Sequence, residues 1–280
     1  MTNESINQAI GYILSHAEEE LTLEQVASYC HFSKFYFSRL FKAQTGESVY
    51  GFIKRTKLEQ SAFRLKTEER PITEISADFG YSSSNYSSAF RLHYKMSPVE
   101  FRRGSWQHSF AHPFFHQESW QAESLKECRQ KVCVVEIPDF QVLYERRFGS
   151  YEGLMRDWTI FLEKYGNYIT RETKFLELTH HDPAVTEPKR CLSDICLTVD
   201  KDCPLENTRR IGGGRCAVYH FQGHMKHIYA AYQTLFLVWL PGSGFELDNS
   251  RSLFDLYHLV DVSKYYVEMN ICLPIKKSHF

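Results

Sequence analysis

The chain carries almost no net charge: 33 lysines and arginines stand against 34 acids, leaving −1 with histidine neutral. Bulk electrostatics therefore attract no polyanion, and any surface for nucleic acid has to be local. A long apolar run is also missing. Nothing approaches the ~20 consecutive apolar residues of a membrane span. The opening stretch, MTNESINQAI, has neither a basic start nor an apolar signal core. The expectation is a cytoplasmic protein with no membrane partner. None of the eight cysteines forms a C-x-x-C pair. Cys133, Cys196, Cys216 and Cys272 lie in apolar, strand-like runs, so reduced core thiols are expected. There is no Ser-His-Asp order, no metal signature and no glycine-rich phosphate loop, and no cofactor is expected. His108, His112 and His116 fall four apart, but Pro113 interrupts the helix a metal site would need there. Cys191 and Cys196 with the HHDP at 180–183 cross strand and loop, and are a weak metal set as well.

What is present suffices for packed cores: 43% hydrophobic and 15% aromatic residues argue against disorder. A length of 280 residues allows one large domain or two ordinary ones. The chain changes character near residue 105. Residues 1–103 read as helices throughout. Beyond residue 130, segments of period two appear: VCVVEIP, QVLYERRF, ICLTV, CAVYHF and VEMNICLPI. The stretch between has mixed polarity, a proline and no sustained period. The expected divisions are 1–105, a linker at 106–129, and 130–280. The fold class is multidomain: an all-α N-terminal domain, then an α+β domain.

The first half contains one helical unit twice. Thr22, with Gln25 three residues on, makes a capping box that opens a short helix. HFS at 31–33 turns the chain, Ser33 caps a second helix, and Gly46 stops it. Phe37, Leu40 and Phe41 form the buried side of that second helix. A short helix, a tight turn and a second helix is the helix-turn-helix pattern. It recurs in PITEISADFGYSSSNYSSAFRLHYKMSP, which starts on a proline. Ile72 and Ile75 match Leu23 and Val26, and Tyr86 and Phe90 match Phe37 and Phe41, at one constant offset. YGFIKRTKLEQSAFRLK reads as a long helix joining the two units.

These segments resemble the two halves of the AraC/XylS-type DNA-binding domain, over roughly residues 6–103. The resemblance implies that each second helix enters a major groove, and that the joining helix holds the two about one DNA turn, ~34 Å, apart. Local chemistry agrees. From residue 34 to 66, Lys34, Arg39, Lys42, Lys54, Arg55, Lys57, Arg64 and Lys66 face only Glu47 and Glu59 as acids. Such a run can neutralise phosphates, or be a solvated helix face. Candidate DNA-binding residues are Lys34, Phe35, Ser38, Arg39 and Lys42 in the first unit, and Ser84, Asn85, Ser88 and Arg91 in the second. Arg39 suits a guanine edge, Asn85 an adenine and Phe35 a thymine methyl. His31 and Lys95 stand where the family often has glycine, at turns that need a positive φ. The first unit is expected to carry most of the specificity.

The second half also repeats. FGSYEGLMRDWTIFLEKYG and FQGHMKHIYAAYQTLFLVWLPGSG each follow a strand, and DICLTV aligns with NICLPI. Aligning Gly149 with Gly223 puts Trp158 on Tyr232. The order strand, Gly turn, helix, strands occurs twice, so an internal pseudo-twofold repeat with two sheets meeting at a ligand groove is expected. This half resembles the gyrase-inhibitor-like (GyrI-like) effector-binding domain. That resemblance implies a groove for bulky apolar, often cationic, molecules held between aromatic rings, with a glutamate on the last strand at Glu268. In YYVEMNICLPI, alternation puts Glu268 opposite the core-facing Val267, Met269 and Ile271. A carboxylate among rings suits a lipophilic cation, while an exposed strand face or a salt bridge is the bland alternative. Candidate ligand-binding residues are Glu268, Tyr144, Tyr151, Trp239 and Tyr266; ordinary core is the alternative for the rings. Trp158 is a lesser candidate wall, with core the favoured reading because its repeat partner is also aromatic. A structural hydrogen bond is expected of Asp194.

The expectation is therefore a sequence-specific transcriptional regulator that senses a bulky apolar cation and is not an enzyme. Its expected partners are double-stranded promoter DNA, a small-molecule effector and RNA polymerase. The alternative is a DNA-binding protein whose C-terminal domain is a small-molecule hydrolase using Glu268, since some GyrI-like domains hydrolyse their ligands. A third possibility is a C-terminal interaction module whose groove is filled by its own side chains.

Overall fold

The computed structural model describes residues 4–110 and 123–277. They fall into two compact units, Met1–Ser105 and Trp106–Phe280. The first is helical: α1 (Glu4–Ser15), α2 (Leu23–Tyr29), α3 (Lys34–Thr45), α4 (Val49–Thr67), α5 (Ile72–Asp78), α6 (Ser83–Tyr94) and α7 (Pro98–Phe110), which runs past Ser105. A shift of 49 residues carries Leu23–Tyr29 onto Ile72–Asp78 and Lys34–Thr45 onto Ser83–Tyr94. The packing repeats as well. Phe41 meets Phe52 at 5.3 Å between ring centroids, and Phe90 meets Phe101 at 5.3 Å, both edge-on.

Local signals explain the boundaries. Thr22 Oγ1 accepts from Gln25 N at 3.2 Å while Gln25 Oε1 accepts from Thr22 N at 2.8 Å, so the capping box forms. Ser33 occupies the N-cap of α3, but its side chain makes no capping hydrogen bond. Its counterpart Ser82 does, accepting from Asn85 N at 3.4 Å. The left-handed backbone positions also follow the repeat. The inter-helix turns use His31 (φ 59°) and Gly80 (φ 77°), and the second helices end on Gly46 (φ 77°) and Lys95 (φ 60°). Each unit thus places one glycine and one side-chain-bearing residue at the two strained positions, in opposite order.

The second unit begins with α8 (Leu125–Lys131), so an ordered helix occupies the end of the expected linker. Arg129 Nη2 ties it to Gly242 O at 2.9 Å. The strands are β1 (Val132–Ile137), β2 (Phe140–Phe148), β3 (Phe175–Thr179), β4 (Leu192–Thr198), β5 (Thr208–Ile211), β6 (Gly214–His224), β7 (Phe245–Leu247), β8 (Phe254–Asp261) and β9 (Tyr266–Lys277). α9 (Leu154–Tyr165) follows β2, and α10 (Ile228–Thr234), continued by a π-helical turn over Leu235–Trp239, follows β6.

Two sheets were expected, but the strands join in one sheet, in the order β1-β6-β9-β8-β3-β4-β2-β5, with β7 on β9. The join is the antiparallel β3–β8 pair, where Glu177 stands opposite Asp255. One face of the sheet lies under the helices: Leu143, Ile195 and Leu197 pack with Phe161 and Tyr165 of α9. The other face holds a second apolar layer, including Val142, Tyr144, Leu176, Leu178, Cys196, Phe254 and Cys272. Cys196, Cys216 and Cys272 are buried free thiols, as expected. Cys133 is exposed instead, because β1 is an edge strand and most of its side chains meet solvent.

Candidate functional site

The outer stripe of each second helix is open. On α3, Lys34, Phe35, Arg39 and Lys42 are exposed and Ser38 is half-buried; Phe37 and Phe41 face the core. Phe35 is 74% exposed, a large apolar ring held in water. On α6, Ser84, Asn85, Ser88 and Arg91 are exposed, opposite the buried Tyr86 and Phe90. Residues spaced three and four apart share a helix face, so each stripe is continuous. The two helices are joined by α4, whose 19 residues span roughly 28 Å at 1.5 Å per residue.

The basic run divides. Arg55 is buried on α4, with Nη2 2.6 Å from Glu47 Oε1 and Nη1 2.8 Å from Glu59 Oε2. Arg64 pairs with Glu18, Glu68 and Asp78. Lys66 is buried. Arg55 and Arg64 are thus taken up by ion pairs and Lys66 by burial, so these three are not an open phosphate surface. Lys34 Nζ lies 2.8 Å from Glu24. Arg39, Lys42 and Lys54 are exposed and make no ion pair among the described residues.

In the second unit, the helix-covered face of the sheet contains two buried acids. Glu177 of β3 and Asp255 of β8 are direct cross-strand partners, 2% and 4% exposed. Each receives one phenol: Tyr257 Oη donates to Glu177 Oε2 at 2.9 Å, and Tyr232 Oη of α10 donates to Asp255 Oδ1 at 2.6 Å. Glu177 Oε1 is buried without a hydrogen bond among the described residues. Trp158 of α9 stands edge-on to Tyr257 at 5.7 Å. Trp158, Tyr257 and Tyr151 are half-buried, so partly accessible rings border the acids. Burial pushes the Glu177 carboxyl up to about 7, against the pull of the Tyr257 phenol and Arg147. Burial, then the neighbouring Glu177, holds Asp255 well above the usual carboxylate range. Arg147, the guanidinium that pulls Glu177 down, is committed to Asp157 at 2.8 Å. Among the described residues the two acids thus have phenol donors and no ion pair of their own, and aromatic rings border them.

Comparison with known proteins agrees with this division of labour. Residues 130–276 match the GyrI-like small molecule binding domain family, and residues 26–104 match a helix-turn-helix domain family. The chain is an AraC-type regulator with a GyrI-like domain. The regulatory protein SoxS of Escherichia coli K12 is 33% identical over 98 residues, 35% of this chain and 92% of SoxS. The multiple antibiotic resistance protein MarA of Escherichia coli K12 is 28% identical over 118 residues, 41% of this chain and 93% of MarA. The EcmrR–DNA complex, solved by cryo-electron microscopy, is 14% identical, covering 91% of this chain and 99% of that one at a TM-score of 0.44. The chain is thus a DNA-binding transcriptional regulator with a small-molecule binding domain.

Within the GyrI-like domain, the five candidate ligand residues do not converge. Glu268, Tyr266 and Tyr144 point to the face opposite the helices, as the pairing of Glu268 with Gln222 and Leu259 and of Tyr144 with Cys196 requires. Glu268 is 32% exposed, and its Oε1 lies 3.7 Å from His220 Nε2. Tyr144 is buried, with the Arg209 guanidinium 4.6 Å from its ring centroid. Trp239 is buried against Phe245. Only Tyr151 lies near the acids; its hydroxyl donates to His181 O at 3.1 Å. The acids themselves were missed, although both sit mid-strand at like places, in FLELTH and LFDLYH. Trp158 and Tyr232, which the sequence alignment of the two helical segments sets against each other, form the second missed signal: they flank the acids, one from each helix.

Asp194 does more than make one hydrogen bond. It is fully buried, with Arg146 Nε at 2.7 Å and Nη2 at 2.9 Å, His180 Nε2 at 2.8 Å, and Arg209 in contact. Burial alone would raise its carboxyl, but Arg146, His180 and Arg209 outweigh burial and hold it well below the usual range. The described residues contain no group of three His, Cys, Asp or Glu side chains placed to hold a metal ion. His112 and His116 lie outside the described residues. Among the described residues no helix is long and apolar enough to cross a membrane.

Proposed function

We propose that the regulator reads promoter DNA through α3 and α6, where it acts with RNA polymerase, and senses an apolar cation at Glu177 and Asp255. The observation that carries the ligand class is the pair of buried acids. They face each other across adjacent strands, have phenol donors but no ion pair among the described residues, and lie beside Trp158, Tyr257 and Tyr151. The domain is read as two related halves, β2-α9-β3-β4 and β6-α10-β8-β9. From either outer side each contributes its first, third and second strand, and the halves meet at the acids. In the helical domain, Arg39 and Phe35 of α3 and Asn85 of α6 are assigned to base edges, and Lys34, Lys42 and Arg91 to phosphates.

Native mass spectrometry with a panel of lipophilic cations and neutral apolar compounds tests the ligand class. Cations retained by the wild type and lost by Glu177→Gln/Asp255→Asn are the expected result; equal retention by the double variant defeats the reading. Hydrolysis has one specific observation in its favour, because a carboxyl pushed up to about 7 is poised as a general base. A product heavier by one water in the same spectra decides for it. Selection from random duplex DNA, repeated with Arg39→Ala and Asn85→Ala, tests the base assignments.

A further inference from the structure

The buried pair raises a question of charge that cation binding alone does not answer. Glu177 and Asp255 are direct partners on antiparallel strands, a pairing that brings their Cβ atoms to ~5 Å. Two ionised carboxylates at that separation, out of water, are mutually destabilising, and one or both take up protons.

The surroundings allow no other balance. From β2, Arg147 is the guanidinium that pulls on Glu177 most among the described residues, and Asp157 of α9 neutralises it. From β4, Ser193 lies beside Glu177, while Asp194 adds negative charge from the opposite face and is already neutralised by Arg146 and Arg209. From α10 and β8, Tyr232 and Tyr257 offer neutral phenols, which burial holds well above their usual range. Tyr151, in the short helical turn Tyr151–Gly153 ahead of α9, is likewise a neutral phenol. From β9, Cys272 is a buried thiol pushed up by burial.

We infer that the Glu177–Asp255 pair is an ion-exchange site, which holds protons when empty and releases one for each monovalent cation it takes in. This rests on the ligand reading above and adds the accounting to it. With both carboxyls protonated, the empty pair is neutral. A bound monocation leaves the pair with one proton and one negative charge, and one proton goes to solvent. Once the empty pair has already lost its first proton, as pH rises, binding releases none. Affinity for a permanent cation therefore rises up to about tenfold per pH unit in the acid range and levels off above neutrality. A neutral ligand of the same shape shows no such slope. The site thus favours permanent cations over neutral apolar molecules most strongly when the interior is alkaline.

Two measurements on the full chain test this. Infrared difference spectra of the empty protein, wild type minus Glu177→Gln and wild type minus Asp255→Asn, report protonated carboxyls directly. Both are expected to be protonated at pH 6 and only one at pH 8.5. Two ionised carboxylates at pH 6 overturn the inference, whatever the protein binds. Calorimetry with benzyltrimethylammonium chloride, in buffers of different ionisation enthalpy, then counts protons. Release of about one per cation at pH 6, falling toward none at pH 8.5, is expected, with no release on binding neopentylbenzene, its neutral isostere. Cation binding without proton release overturns the exchange but leaves the cation site standing. Carboxyls protonated as expected, with no cation bound, overturn both the exchange and the ligand reading.

Discussion

The exchanged glycines of the helical repeat set up a stability experiment with its own controls. His31 and Lys95 hold left-handed backbone at φ 59° and φ 60°, and their repeat partners Gly80 and Gly46 hold φ 77°. The left-handed region costs a side-chain-bearing residue ~1–2 kcal/mol. Glycine returns part of that gain through the greater freedom of the unfolded chain, ~0.5–1 kcal/mol. His31→Gly and Lys95→Gly should therefore each stabilise the first unit by about 0.5–1 kcal/mol. Lys95→Gly loses the bond from Nζ to Leu92 O, but it is exposed and worth little. The reverse changes supply the control. A Cβ on Gly46 meets nothing within 4 Å, and one on Gly80 meets only Lys57 Nζ at 3.8 Å. Gly46→Lys and Gly80→His therefore lose stability for conformational reasons alone, by about 1 kcal/mol. Hydrogen exchange of the α2–α3 and α5–α6 amides in the full chain reads this out as a roughly two- to fivefold change in the opening equilibrium. The reasoning fails if Lys95→Gly destabilises α6, or if Gly46→Lys leaves exchange unchanged.

Further outcomes concern charge. Lys42→Ala should weaken DNA binding about equally on all sequences and lower the salt slope by about one, whereas Arg39→Ala should cost ~1–3 kcal/mol and relax base choice at one position; titrations at several salt concentrations separate the two. Arg55→Ala removes the guanidinium from buried Glu59, 2% exposed, leaving it the more distant His93 at 3.9 Å, and should destabilise the helical domain by roughly 3 kcal/mol, seen in urea unfolding of its helices. Because the Asp194 carboxyl is depressed in the folded chain, the stability it confers is full above an ordinary aspartate pKa and is lost as pH falls below about 4. Asp194→Asn should lower the urea midpoint at neutral pH and flatten that acid limb; an unchanged limb would sink the assignment.

The sequence by itself determined the helical repeat to the residue, because caps, turn glycines and a 3.6-residue apolar period are local signals that need no partner. It also determined which side chains of the last strand share a face, since alternation is local as well. It did not determine which face the helices would cover. That depends on how nine strands order themselves, and here the order turned Glu268 away from α9 and α10 and placed Glu177 and Asp255 beneath them. Those acids are 78 positions apart, and each reads alone as an ordinary polar residue in an alternating run. The basic stretch taught the same lesson. Counting charges could not show that Arg55, Arg64 and Lys66 turn inward, since burial is settled by the helices packed against α4. Cys133 ended at the surface for a related reason: an apolar strand is buried only if neighbours cover it, and β1 is the sheet's edge. Local patterns specify elements and their faces. Only the tertiary pairing decides which face becomes a core, which becomes a site, and which meets water.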